Sequence, residues 1–135
     1  MIRLKGTETL FISEDLIGYA DTLYKEGTIP RRVDLLLLGF SYAVTNNLLP
    51  AENVKRHDLV RAYSVDNDGR LAIEAVAHWY ARELGKDELT SESELLDFIC
   101  RVGIAGLREL QKRWEQRRKS QIQWDIMELA AASDL

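Results

Sequence analysis

Glu74 and His78 stand four residues apart, so any helix running through them carries both on one face. An acid beside an imidazole is the smallest unit of general acid–base chemistry or of a metal site. For a metal the pair is too little, because one cysteine and two histidines do not make a zinc cluster. The commoner outcome is a half-buried histidine beside an acid, and the two are read that way. Cys100 could act as a nucleophile with His57 or His78 as base. It lies in a strongly helical apolar block, where a cysteine behaves as a core residue. Asp66-Asn-Asp-Gly69 resembles a calcium loop, but with Ser64, Asp66 and Asp68 as first ligands the bidentate acid should fall at Ala75. Glu74 comes one place early, so this is a turn. No glycine-rich phosphate loop follows a strand. No catalytic residue, metal or cofactor is expected.

Basic residues gather at Arg31–Arg32, at Lys55–Arg56 with Arg61, and from Arg108 to Lys119. In the last window six bases face two acids, whereas Glu83 to Asp97 holds six acids and one base. The ordinary outcome is a set of solvated helix faces. The functional reading is contact with DNA phosphates by Arg31, Arg32, Lys55, Arg56, Arg108, Lys112, Arg117, Arg118 and Lys119. A third is that oppositely charged regions of neighbouring copies meet, giving a homo-oligomer. The net charge of −4 argues against a general nucleic-acid coat. Among the tryptophans, Trp79 and Trp114 read as core. Trp124 follows the charged run with Ile122, Ile126 and Met127 nearby. This group reads equally as packing onto the domain or as an anchor for a partner.

The elements that must position these residues are mainly helices. A length of 135 residues fits one domain that folds without disulfides or metal. A single cysteine excludes an internal disulfide and fits a reducing cytoplasm. The N-terminal residues lack the apolar core of a signal peptide. The most apolar run, Leu35 to Val44, is far too short to span a bilayer, so no membrane contact is expected.

Ser13 with Glu14 and Asp15 opens a first helix, with Leu16, Ile17, Ala20, Leu23 and Tyr24 at helical spacing and Gly27 closing it. Pro30 sits in the first turn of a second helix, whose Leu35 to Phe40 segment is apolar all round and ends at Asn46-Asn47. Asp58 to Val65 reads as either strand or short helix. A third helix runs from Arg70 to Leu84, offering Leu71, Val76, Trp79, Tyr80 and Leu84 for burial, with Gly85 at its end. Ser91-Glu-Ser-Glu94 has the pattern of a capping box. It opens a long amphipathic stretch through Trp114, as one helix or as two joined at Gly103–Gly106. After Lys119 the pattern fits strand or helix. The expectation is a compact bundle of about five helices. A minor β-hairpin around Arg61 to Leu71 is compatible with it. Residues 1–119 form the domain and 120–135 a C-terminal tail that docks on it or binds a partner.

The order of segments carries a resemblance. Asp34-Leu-Leu-Leu-Leu-Gly-Phe40 and Ile99-Cys-Arg-Val-Gly-Ile-Ala-Gly-Leu-Arg-Glu-Leu110, with the helices between them, are similar to the small accessory proteins of bacterial DNA-phosphorothioation (Dnd-type) defence systems. The similarity covers about residues 13 to 118. The chain departs from that pattern at Ile104-Ala105-Gly106 and in the tail after Lys119. The resemblance implies antiphage defence beside DNA-acting machinery, with a larger defence-system protein as partner, and brings no catalytic residue. Three readings follow: a non-enzymatic accessory subunit, a dimeric DNA-binding regulator, and, weakest, a small enzyme using Glu74, His78 or Cys100.

Overall fold

The computed structural model describes the backbone of residues 1–133 and side chains as far as Ala131. Its order is β1 (Thr9–Ser13), α1 (Glu14–Lys25), α2 (Arg32–Thr45), β2 (Arg56–Arg61), a 3-10 turn (Ala62–Ser64), α3 (Asn67–Glu83), α4 (Glu92–Arg113) and α5 (Lys119–Ser133). The mainly helical class with a minor β element holds. The long amphipathic stretch is one unbroken helix, α4, and the ambiguous tail is helical as α5.

The β element lies elsewhere than around Arg61 to Leu71. β1 pairs antiparallel with β2, Thr9 opposite Arg61 and Ser13 opposite Arg56, with a bulge between Leu10 and Phe11. Leu10, Phe11 and Ile12 are all buried, so β1 is covered on both faces. A strand buried this way reads as a continuous apolar run without alternation. The Phe11 amide donates to Cys100 Sγ at 3.5 Å, tying β1 to α4.

Local chemistry explains most helix ends. The Asp66 side chain accepts the Gly69 amide at 2.7 Å, so the turn signal is the N-cap of α3. Ser91 Oγ accepts the Glu94 amide at 3.1 Å, while the Glu94 carboxylate accepts from Thr90 N at 3.1 Å. That is a capping box displaced by one residue. Ser13 has the extended backbone of an N-cap, but its hydroxyl makes no capping bond. Three helices end alike. Gly27, Asn47 and Gly85 take positive φ, and the amides of Thr28, Leu48 and Lys86 return to the carbonyls of Leu23, Ala43 and Ala81. This is the Schellman closure, which needs a left-handed residue after the cap.

The centre of the core is the crossing of α2 with α4. Leu35, Leu36, Phe40 and Ala43 of α2 are buried, as are Leu95, Ile99, Val102, Leu107 and Leu110 of α4. Gly39, Gly103 and Gly106 let the two backbones touch. A Cβ added at Gly103 would stand 2.8 Å from the Leu36 carbonyl oxygen, and one at Gly106 would fall inside the Gly39 carbonyl. The segments Asp34–Phe40 and Ile99–Leu110 are therefore the two halves of one helix crossing.

On α3 the expected orientation is corrected. Tyr80 is buried and Leu84 is half-buried, but Leu71 and Val76 are exposed and Trp79 is 49% exposed. Glu74, Ala77 and Ala81 face inward instead. α3 packs against α4 through small residues, and Tyr80 reaches between helices to donate to the Leu48 carbonyl at 2.6 Å.

Candidate functional site

The acid–imidazole pair on α3 grips the N-terminal segment. Buried Glu74 accepts the Leu4 amide at 2.5 Å and Arg3 Nη2 at 3.1 Å. One turn on, His78 Nε2 lies 2.8 Å from the Ile2 carbonyl oxygen. Both side chains are spent in holding residues Ile2 to Leu4 against α3, a role the i,i+4 spacing serves as well as it would serve chemistry. Cys100 is fully buried, and that burial pushes its thiol up to about 12. A thiol so placed stays protonated and is no nucleophile. His57 lies exposed on β2, away from it in register with Ile12. Among the described residues no group of His, Cys, Asp and Glu is arranged to hold a metal.

The basic residues are mostly neutralised where they stand. Arg31 pairs with Asp34 at 2.9 Å and donates to the Ser64 carbonyl at 3.0 Å. Arg32 pairs with Asp21 and lies over the Tyr24 ring. Lys55 pairs with Glu14 at 3.0 Å, and Arg56 pairs with Asp97 above the Phe11 ring. Arg108 makes two hydrogen bonds to Asp15, at 3.0 and 3.2 Å, and Lys112 pairs with Glu109 at 3.2 Å. The Arg108 guanidinium holds the Asp15 carboxyl below its usual range, against a smaller opposing effect of burial. Exposed pairs of this kind add little stability, but each acid offsets the positive charge that its base would otherwise present to phosphate. Arg117, Arg118 and Lys119 cluster at the exposed turn from α4 into α5, and among the described residues they enter no ion pair.

α5 is where the predicted partner-binding residues divide. Ile122 is buried, and Ile126 packs half-buried against the core together with Leu129. Trp124 is 61% exposed and Met127 53% exposed, on the opposite side of the helix. The anchor of α5 is a residue that the sequence pattern did not reveal. Asp125 is only 4% exposed and receives Arg113 Nε at 2.7 Å and Nη2 at 2.8 Å. It also accepts Trp114 Nε1 at 2.7 Å. The Arg113 guanidinium, helped by Trp114 Nε1, holds the Asp125 carboxyl below its usual range against the upward push of burial. Arg113 is shifted upward in return, chiefly through the same hydrogen bonds. The signal available in sequence was an acid set between Trp124 and Ile126, where an apolar residue would be the neutral choice.

So α5 is a helix clamped at its middle, with an indole and a thioether carried outward. Trp124 Nε1 donates to Glu128 Oε1 at 2.7 Å, which holds the ring along the helix surface. On the side of α5 that carries Ile122, Tyr19, Leu23, Trp114 and Ile122 line an open cleft of about 490 Å³ between α1, α4 and α5. Glu26, Glu115, Lys112 and Arg117 rim that cleft with both signs of charge. Burial pushes the Tyr19 hydroxyl up to about 12, so it remains a neutral donor. No helix among the described residues is long and apolar enough to cross a membrane. In comparisons with known proteins, the chain matches no family model, no curated protein and no solved structure.

Proposed function

We propose that this chain is a non-enzymatic accessory subunit of a bacterial antiphage defence or DNA-processing assembly, docking on a larger protein through the outer face of α5. The observation that carries the reading is the pair Trp124 and Met127, exposed on a helix that Asp125 and Ile122 pin to the domain. Large apolar side chains held in place before binding lose little conformational freedom when a partner covers them. Tryptophan is also the residue most enriched among those that dominate interface energetics. The defence setting rests on the resemblance carried by Asp34–Phe40 and Ile99–Leu110. Those segments form a helix crossing, so what they share with that family is a packing solution, and the docking face stands outside them.

Truncating a central interface tryptophan costs about 2 kcal/mol or more, so Trp124→Ala should weaken partner binding roughly thirtyfold or beyond. The test is co-purification from the native host of wild type and of a Trp124→Ala, Met127→Ala variant, with unchanged circular dichroism. Loss of a stoichiometric partner in the variant alone supports the reading. Equal recovery by both places the interface elsewhere.

A second reading, contact with DNA, is favoured by Arg117, Arg118 and Lys119, which form no ion pair among the described residues and lie next to the same face. It requires binding that falls steeply with salt and fails when these three are replaced by Gln. Arg31, Arg32, Lys55, Arg56, Arg108 and Lys112 contribute to it only by leaving their acids.

A further inference from the structure

We infer that the outward face of α3 is a self-complementary surface that pairs with a second copy of this chain, antiparallel about a two-fold axis through Ala75. The face opposite the buried Glu74, Ala77, Tyr80 and Ala81 is formed by Asp68, Leu71, Ala72, Ala75, Trp79 and Arg82. All six are exposed, and between Asp68 and Arg82 this face carries no charge. This uncharged stripe of about two helical turns from Leu71 to Trp79 leaves roughly half of each of those large side chains open to solvent, more apolar surface than the monomer's packing uses.

Its spacing selects the occupant. Asp68 and Arg82 each lie seven residues from Ala75, and Leu71 and Trp79 each lie four. Seven residues are close to two helical turns, so all five stay on one side. Turning a second helix end for end about Ala75 sets Asp68 against the second copy's Arg82. It sets Leu71 against the second copy's Trp79, and Ala75 against Ala75. Each contact occurs twice, as a two-fold interface demands. The opposite charges meet at both ends, and the two helix dipoles run antiparallel. The small side chains of Ala72 and Ala75 let the axes come close enough for both indoles to be covered. Among the described residues neither Asp68 nor Arg82 has an ion-pair partner within the chain, so both are free to pair across the axis. A parallel partner would bring Asp68 to Asp68 and Arg82 to Arg82, which charge repulsion disfavours. Glu83 falls on the flank beside Val76, off the central line.

Sedimentation velocity of the full chain over a concentration series tests this. Wild type should pass from one to two copies of the 15.5 kDa chain as concentration rises. Arg82→Asp puts like charges at both ends and should weaken the dimer roughly tenfold, more at low than at high salt. The double swap Asp68→Arg, Arg82→Asp should restore it. Trp79→Ser should weaken it roughly a hundredfold. Asp68, Trp79 and Arg82 are all exposed, so circular dichroism should be unchanged and loss of folding will not mimic loss of pairing. A monomer at every concentration overturns the inference. So does a dimer indifferent to Arg82→Asp, or one that the double swap leaves broken. A dimer lost with Trp124→Ala and kept with Trp79→Ser places self-association on α5 and overturns it too.

Discussion

Replacing Gly106 by alanine should destabilise this protein, whereas the same replacement at Gly18 should stabilise it. Alanine is better than glycine inside a helix by about 1 kcal/mol, because it leaves the unfolded chain fewer conformations to lose. Gly18 is exposed on α1 and an added Cβ meets nothing within 4 Å, so the gain there is unopposed. We expect about 0.5–1 kcal/mol of added stability. At Gly106 the Cβ would fall inside the Gly39 carbonyl. A side chain could rotate aside, but a helix backbone cannot, so α2 and α4 must separate along the central crossing. Overpacking a core costs about 1–3 kcal/mol, and backbone overlap belongs at the top of that range. Less the propensity gain, the net loss is about 2 kcal/mol. Gly103→Ala should lose about 1 kcal/mol, since one of its two close contacts, at 2.8 Å, is the movable Leu36 Cδ1. Urea unfolding followed by circular dichroism reads all three, with unchanged slope for each. In melting temperature Gly106→Ala should fall by about 6–10 °C and Gly18→Ala rise by about 2–4 °C. A Gly106→Ala protein as stable as wild type would refute the idea that the crossing rests on backbone contact.

Further outcomes follow from the buried polar groups. Asp125→Ala strips the acceptor from Trp114 Nε1 and from Arg113, and should cost about 2–3 kcal/mol, discounted because the Arg113 side chain is 40% exposed. Because the Asp125 carboxyl is depressed in the folded state, its contribution is full above its ordinary 3.8 and is lost as pH falls through the lower folded value. Acid unfolding of Asp125→Ala should therefore show a shallower dependence of stability on pH below 3.8 than wild type. Glu74→Ala leaves the buried Leu4 amide without an acceptor and should cost about 2–3 kcal/mol. Hydrogen exchange should speed up at Leu4 in particular, and uniform exchange along the chain would contradict the clamp. Cys100 should resist a maleimide in the folded protein and react on unfolding in urea. Fast labelling of the native state would show the thiol is reachable.

The sequence exposes whatever is encoded locally. Ser91 with Glu94, Gly27 and Gly85 mark helix ends because caps are satisfied within a few residues. The Leu35–Phe40 run announces a central helix because it is apolar on all faces. β1 was hidden because a short apolar run has no period of its own, and its partner β2 lies far along the chain. The orientation of α3 is not legible from periodicity, which turns large apolar residues inward. Here Ala77 and Ala81 satisfy a close approach, Glu74 is claimed by the N-terminus, and Trp79 is left outside. The basic groups looked available because their acids are remote: Arg108 meets Asp15 across 93 positions and Arg56 meets Asp97 across 41. Trp124 is open between core and interface in sequence, and the burial of Asp125 and Ile122 on the inner face of α5 turns it outward.

The proposal stands or falls on whether the Trp124–Met127 face of α5 docks on a larger protein. Its most direct test is a tagged pull-down from the native host, with and without nuclease, followed by mass spectrometry, for wild type and the Trp124→Ala, Met127→Ala variant. A stoichiometric partner from DNA-acting or defence machinery should survive nuclease and disappear in the variant. Recovery that depends on nucleic acid, or a partner held equally by the variant, would contradict it.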